Sequence, residues 1–254
     1  MKGVILAGGN GTRLMPLTSV TNKSLLPVYD RPMIFHPIQM MVESGIEEIL
    51  IVTSGKTAGE MVRVLGDGSQ FGLKRLYFTL QEQAGGIAQA LSLAEQFAGG
   101  EKVFVILGDN LVFGSQVAEE VRRFAIRENG AKVFLKAVPD PERFGIADID
   151  GAQIVSIEEK PKRPKSNLAI TGLYLYDATV FDRIRELKPS ARGELEVTDL
   201  NKLYLKDGAL GYEMLRADWI DAGTFDSMLD ASLMAREAAQ KAERKSYSRL
   251  EVAA

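Results

Sequence analysis

An α/β fold, with a mostly parallel sheet flanked by helices and a sheet extension in its second half, is what this sequence of 254 residues predicts. Three observations predict it. Through the first half, short apolar runs that read as buried strands alternate with amphipathic helical stretches. A cluster of glycines follows the first apolar run directly, at the kind of strand end where ligands bind in such sheets. In the second half the pattern changes to a hairpin and further strands.

The first run, Val4-Ile5-Leu6-Ala7, reads as a buried parallel strand and leads into Gly8, Gly9 and Gly11. Three glycines in four positions let the backbone turn sharply and bring its N–H groups close to an anion. Arg13 and Lys23 follow on the same long loop and add two cations where a polyphosphate would lie. A tight strand exit with two solvated charges is the plainer reading of such a cluster. The loop is too long for it, and Leu14, Leu17, Leu25, Leu26 and Val28 argue against disorder. Two other phosphate loops are excluded. The dinucleotide fingerprint wants a third glycine where Leu14 stands, and Gly55-Lys56-Thr57 lacks the leading glycine of a Walker A loop, Leu50 being there instead.

Further along, periodicity predicts a helix over Met33 to Ser44, a strand over Glu48 to Thr53, a helix over Gly59 to Leu65 and a strand over Arg75 to Leu80. A helix over Ile87 to Phe97, a strand over Lys102 to Leu107, a helix over Gln116 to Glu128 and a strand over Lys132 to Val138 come next. Phe144 to Glu159 reads as a hairpin with Asp150-Gly151 as its turn. A strand over Leu168 to Tyr176, a helix over Val197 to Leu205 and a charged amphipathic helix from Thr224 complete the chain. We expect one domain over residues 1–254: a nucleotide half of about 1–130, a second-substrate half of about 131–223, and a C-terminal helix and tail over 224–254.

Composition narrows the function classes. With 46% hydrophobic residues and a formal charge of −3, nothing suggests a nucleic-acid or membrane partner, so an anionic ligand must be held by local charge. No cysteine is present, which removes disulfides, thiolate metal sites and a cysteine nucleophile. The single histidine, His36, reads as a helix-start or structural residue, and one histidine argues against a zinc site or a Ser-His-Asp triad. The N-terminal apolar run is too short for a signal peptide, so a cytoplasmic location is expected.

The chemistry rests on charged residues at strand ends. Asp109 follows the apolar run Lys102 to Leu107, and Asp221 follows Trp219-Ile220. Each could be a helix cap or turn aspartate, or the two could jointly hold one Mg2+, which takes carboxylate, water and phosphate oxygens. Lys160, after Glu158 and Glu159, could place a cation at a second anion while a carboxylate accepts hydroxyl hydrogen bonds.

GGNGTRL followed by Lys23 and LLPV resembles the signature of the sugar-phosphate nucleotidyltransferases. QEQAGGIAQAL from Gln81, LGDN around Gly108, PERFG ending at Gly145, EEKP, ITGLY from Ile170, RGELEVTD from Arg192 and WIDAGT around Asp221 occur in the order found in that family. The chain is most similar in these motifs to the short-form bacterial glucose-1-phosphate thymidylyltransferases, over Met1 to about Leu233. The resemblance implies a Rossmann-like nucleotide-diphospho-sugar transferase fold joining dTTP and glucose-1-phosphate, with Mg2+, into dTDP-glucose and pyrophosphate. It implies that Arg13, Lys23 and Lys160 are catalytic. Leu6, Gly8, Gly9, Gly11, Thr12, Arg13, Lys23, Gln81, Gly86 and Asp109 would bind nucleotide, and Gly145, Glu159, Lys160, Ile170 and Arg192 the sugar phosphate. Asp109 and Asp221 would carry the metal, and the assembly would be a homo-oligomer, a tetramer. Ser24 and Phe144 stand where long members commonly have glutamine and tyrosine. Uridylyl transfer, another sugar phosphate, or a non-catalytic sensor are the alternative readings.

Overall fold

The computed structural model describes residues 1–252, with side chains as far as Ala242. The first strand, β1 (Lys2–Ala7), is buried along all but its first residue. The long loop after it is ordered as three single 3-10 turns, at Thr12–Leu14, Leu17–Ser19 and Lys23–Leu25, and ends in the small ribbon β2 (Pro27–Val28) and β3 (Arg31–Pro32). Helix α1 (Phe35–Glu43) begins two residues later than periodicity suggests. The amides of Met33 and Ile34 are taken by the carbonyls of Leu26 and Ser24, at 2.9 and 2.8 Å, which locks both residues to the loop.

Next come β4 (Glu48–Ser54), α2 (Ala58–Leu65) and β5 (Arg75–Gln81). The single helix expected over Ile87 to Phe97 is two, α3 (Ile87–Ser92) and α4 (Glu95–Ala98). Between them the amides of Leu93 and Ala94 bond back three residues rather than four, which tightens the turn and redirects the axis. The chain continues through β6 (Val103–Leu107), β7 (Asn110–Phe113), α5 (Gln116–Arg127) and β8 (Ala131–Ala137). The hairpin β9 (Gly145–Asp150) and β10 (Gln153–Glu159) turns on Gly151-Ala152, one residue beyond the expected pair. Then follow β11 (Leu168–Tyr176), α6 (Val180–Glu186), α7 (Val197–Lys206), β12 (Leu210–Met214), β13 (Asp218–Asp221) and α8 (Phe225–Val252).

Strands β5, β4, β1 and β6 run parallel in that order, with Val4 opposite both Leu50 and Val105. The order reverses at β1, so the crevice that such a switch opens lies beyond the carboxyl ends of β1 and β6. Strand β11 enters antiparallel beside β6, with Leu173 opposite Ile106, and carries β8 on its other side, to which β12 adds in parallel. The first residues of β11 overshoot the end of β6 and pair with β9, Leu168 opposite Ala147. That overshoot attaches the β9–β10 hairpin at the edge where the crevice opens.

Both faces of the sheet are covered, as a parallel sheet requires. Val4 and Leu6 point into a core shared with α3, α6 and α7, whereas Ile5 and Ala7 point into one shared with α1, α2 and α5. Each fully buried aliphatic side chain there stabilises the fold by roughly 1.5–3 kcal/mol. Among the described residues no helix is long and apolar enough to cross a membrane.

Candidate active site

Two adjoining cavities open along the carboxyl edge. The smaller, about 230 Å3, lies over β1 and is walled by Leu6, Gly8, Gly9, Lys23, Gln81, Gly86 and Asp109 among others. The larger, about 700 Å3, reaches from Thr12 and Arg13 to the β9–β10 hairpin and α7, and contains Gly145, Glu159, Lys160, Ile170, Arg192 and Asp221. Gly9, Ile87, Leu107, Asp109 and Glu194 line both, so the two spaces meet at Asp109.

The glycine loop is held from several sides. Gly11 lines neither cavity: it makes the turn itself, with φ +61° and its carbonyl accepting from Thr18 Oγ1 at 2.8 Å. A Cβ at Gly8 would collide with the Gln81 amide oxygen, so β1 and β5 bring backbone and side chain together there. Gln81 Nε2 donates to Gln89 Oε1 at 2.6 Å, which fixes the amide against α3. Gly86, with φ +97°, lies against the Leu195 carbonyl, and the Leu195 amide donates to Gly85 at 2.8 Å. These contacts tie the 190–196 segment to the wall of the smaller cavity.

Asp109 and Asp221 are brought together by β7 and β13. Asp221 pairs with Asn110 in that ladder, and the Ala222 amide donates to the Asp109 carbonyl at 2.9 Å. Burial works to raise the Asp109 carboxyl, but the Lys23 ammonium paired with it wins and holds it well below the usual carboxylate range. Asp221 is pushed up, first by burial and then by the charge of Asp109. Its Oδ1 is buried without a hydrogen-bond partner. Two adjacent carboxylates, one with an orphaned oxygen, suit a hard divalent cation. Among the described residues no cluster of three or more His, Cys, Asp or Glu could hold a metal, so water and phosphate oxygens would complete the shell. Arg13 packs on Gly223, where an added Cβ would meet Arg13 Nη2 and Asp221 Oδ1 at 2.8 Å each.

In the larger cavity Lys160 has φ +45°, a strained value for a lysine, fixed by its amide donating to the Phe144 carbonyl at 3.0 Å. Its ammonium lies 3.5 Å from Glu159 Oε1. Glu159 Oε2 accepts from Thr198 Oγ1 at 2.5 Å, and Arg192 forks onto Glu196 at 2.8–2.9 Å while standing 3.6 Å from Glu159. Phe144 and Trp219 meet edge to face at 5.6 Å as an aromatic wall. The indole of Trp219 donates to Asn110 Oδ1 at 2.8 Å.

Sequence reasoning singled out Gly9, Thr12, Arg13, Asp109, Gly145, Glu159, Lys160, Ile170, Arg192 and Asp221 around the larger cavity, and among those it did not single out are Asn110, Thr198, Asn201 and Trp219. Asn110 was visible inside LGDN, yet an asparagine after an aspartate carries no signal of its own. Thr198 and Asn201 stand three apart on a helix, the spacing that places both on one face, and only the larger cavity shows which face matters.

The model for the family described as nucleotidyl transferase matches residues 2–238. The glucose-1-phosphate thymidylyltransferase of Neisseria meningitidis is 45% identical over 235 residues, 91% of this chain and 81% of its own length. The enzyme of that name from Actinoplanes is 47% identical over 91% of this chain and 77% of its own. A Bacillus anthracis protein assigned as a glucose-1-phosphate thymidylyltransferase, crystallised with sucrose, superposes with a TM-score of 0.88 at 51% identity, covering 93% of this chain and 95% of that one. A UDP-glucose pyrophosphorylase in complex with UDP-glucose shares the fold, with a TM-score of 0.83 at 23% identity over 93% of this chain and 98% of its own.

Proposed function

Since the chain belongs to the nucleotidyl transferase family, we propose that it transfers the thymidylyl group of dTTP to glucose-1-phosphate, giving dTDP-glucose and pyrophosphate. The observation that carries the reading is the meeting of two cavities at Asp109, one bordered by the glycine loop and the other by Lys160, Glu159 and Arg192. A nucleoside triphosphate with its base in the first and its phosphates reaching Thr12 and Arg13 at the edge of the second would face a sugar phosphate held by Lys160 there. No protein nucleophile is needed.

In this reading the glycine-loop amides, Arg13 and Lys23 grip the triphosphate, and Lys160 holds the sugar's phosphate so that its oxygen lines up with the α-phosphorus. Gln81 and the backbone at Gly86 hold the pyrimidine edge, while Glu159 and Arg192 face the sugar. Two anions repel, so fixing both before reaction removes entropy and charge cost at once. Asp109 and Asp221 would hold a Mg2+, which would neutralise charge developing on the α-phosphate. Lys23 already neutralises Asp109 and so sets how much negative charge the pair presents. A homo-oligomer in the cytoplasm, where such charged metabolites are retained, completes the proposal.

Pyrophosphate release measured with Mg2+, glucose-1-phosphate and each of dTTP, UTP, dATP and GTP tests it. We expect release with dTTP, a several-fold lower kcat/KM with UTP, because one buried methyl discriminates by roughly 1–3 kcal/mol at best, and little with purines. Binding of dTTP without any release would leave a sensor, and a purine outperforming both pyrimidines would overturn the base pocket.

A further inference from the structure

Asn201 is wholly buried, with 0% of its surface exposed, and yet is among the residues around the larger cavity. Its amide oxygen accepts from the Tyr176 hydroxyl at 2.7 Å, and its nitrogen has no partner. If the amide were turned over, the nitrogen would meet the tyrosine hydroxyl and the oxygen would be left alone. One phenol satisfies one end of a carboxamide, so in either orientation one polar atom is orphaned. A buried amide end without a partner costs about 1–3 kcal/mol, so it calls for an explanation, and here it lies beside a cavity that can supply a partner.

The surroundings say what that use is. Tyr176 is itself stacked between Tyr174 and Tyr204, with centroids 6.0 and 5.7 Å away, so the group that orients Asn201 cannot swing aside. One helical turn earlier on α7, Thr198 turns its hydroxyl to Glu159, the carboxylate that faces the sugar in the proposed reading. Asn201 therefore shares a helix face with a residue already paired to the carboxylate that faces the sugar.

We propose that the free end of the Asn201 amide hydrogen-bonds a hydroxyl of the hexose phosphate in the larger cavity, making Asn201 a specificity-determining residue. A hydroxyl both donates and accepts, so it suits either end of the amide. A substrate lacking that hydroxyl would leave the buried amide unpaired, and sites built this way reject such analogues strongly. The proposal rests on the transfer to a hexose phosphate proposed above.

Steady-state kinetics of the wild type and Asn201→Leu on glucose-1-phosphate and its 2-, 3-, 4- and 6-deoxy analogues test it. We expect Asn201→Leu to raise KM for glucose-1-phosphate about tenfold or more with KM for dTTP unchanged. One deoxy analogue should show the same loss with the wild type, and the variant should lose nothing further on that analogue. A rise of equal size on every sugar would mean a structural role and overturn the proposal, as would no rise at all. If Asn201→Leu does not fold, Asn201→Ala in the same series gives the same readout. A wild type silent on all five sugars overturns the transfer reading and this proposal together, whereas an active wild type that tolerates every missing hydroxyl equally overturns this proposal alone.

Discussion

Asp109 and Asp221 are the same functional group held in opposite states. Lys23 pins one charged, and that charge, added to burial, drives the other towards the neutral acid. Asp221→Asn should therefore lower kcat roughly a hundredfold or more, by removing an oxygen ligand. It should not lower the melting temperature, since a repelled buried carboxylate becomes a neutral amide. Pyrophosphate release and a thermal melt on the same sample check both, and near-normal turnover at limiting Mg2+ would remove Asp221 from the metal site. His36 makes a second residue-scale prediction. Burial holds its imidazole down at about 4, against 6.5 for a free histidine, and its Nε2 has no partner. Between pH 6.5 and 4 the unfolded chain takes up a proton that the fold refuses, so stability is full above that window and falls as pH drops through it, by up to roughly 3 kcal/mol. Urea melts of the wild type and His36→Gln across this range should show the variant's curve flatter by that amount; parallel curves would put the acid sensitivity elsewhere. The sequence reading of His36 as structural rested on its being alone, and its contact with the Phe113 ring at 5.7 Å is in keeping with that reading.

At the scale of elements, β7 and β13 have four residues each and decide where both aspartates lie. The strand end at Trp219-Ile220 was legible in the sequence, whereas β7 and its pairing with β13 were not. A strand that short offers two inward positions, too few for a period, and its partner is far away in the chain. The longer strands and amphipathic helices were legible because each repeats its pattern enough times to be recognised. Gly172 in β11 supports the same ladder: a Cβ there would meet the Asn110 amide at 2.6–2.7 Å, and the Gly172 amide donates to Asn110 Oδ1 at 2.9 Å. Gly172→Ala should displace Asn110 and, through it, Asp109. We expect turnover to fall at least tenfold while stability drops by about 1–3 kcal/mol, the usual cost of overpacking. Turnover alongside urea denaturation separates the two effects, and an alanine variant with full activity would show that Asn110 does not position Asp109.

Across the whole molecule the cations divide between the two halves: Arg13 comes from the loop after β1, and Lys160 from the end of the β9–β10 hairpin. In calorimetric titrations Lys160→Ala should weaken glucose-1-phosphate binding by more than tenfold with dTTP binding little changed, and Arg13→Ala should do the reverse. The opposite pattern would exchange the two assignments. Motif order singled out both cations: Arg13 comes two residues after the last glycine of the loop, and Lys160 directly precedes Pro161. How the halves meet was not legible, because it depends on β11 overshooting β6, a matter of register between strands that the chain does not announce locally. The late arrival of β13 also bears on how the protein is made. On a ribosome, the glycine loop, Lys23 and Asp109 leave the exit tunnel well before Asp221, and loop closure over so long a separation is slow compared with local folding. A nascent chain halted midway thus has one carboxylate of the pair and none of the hairpin. Translation itself would keep the incomplete enzyme inert, withholding turnover until Asp221 has emerged and joined β7.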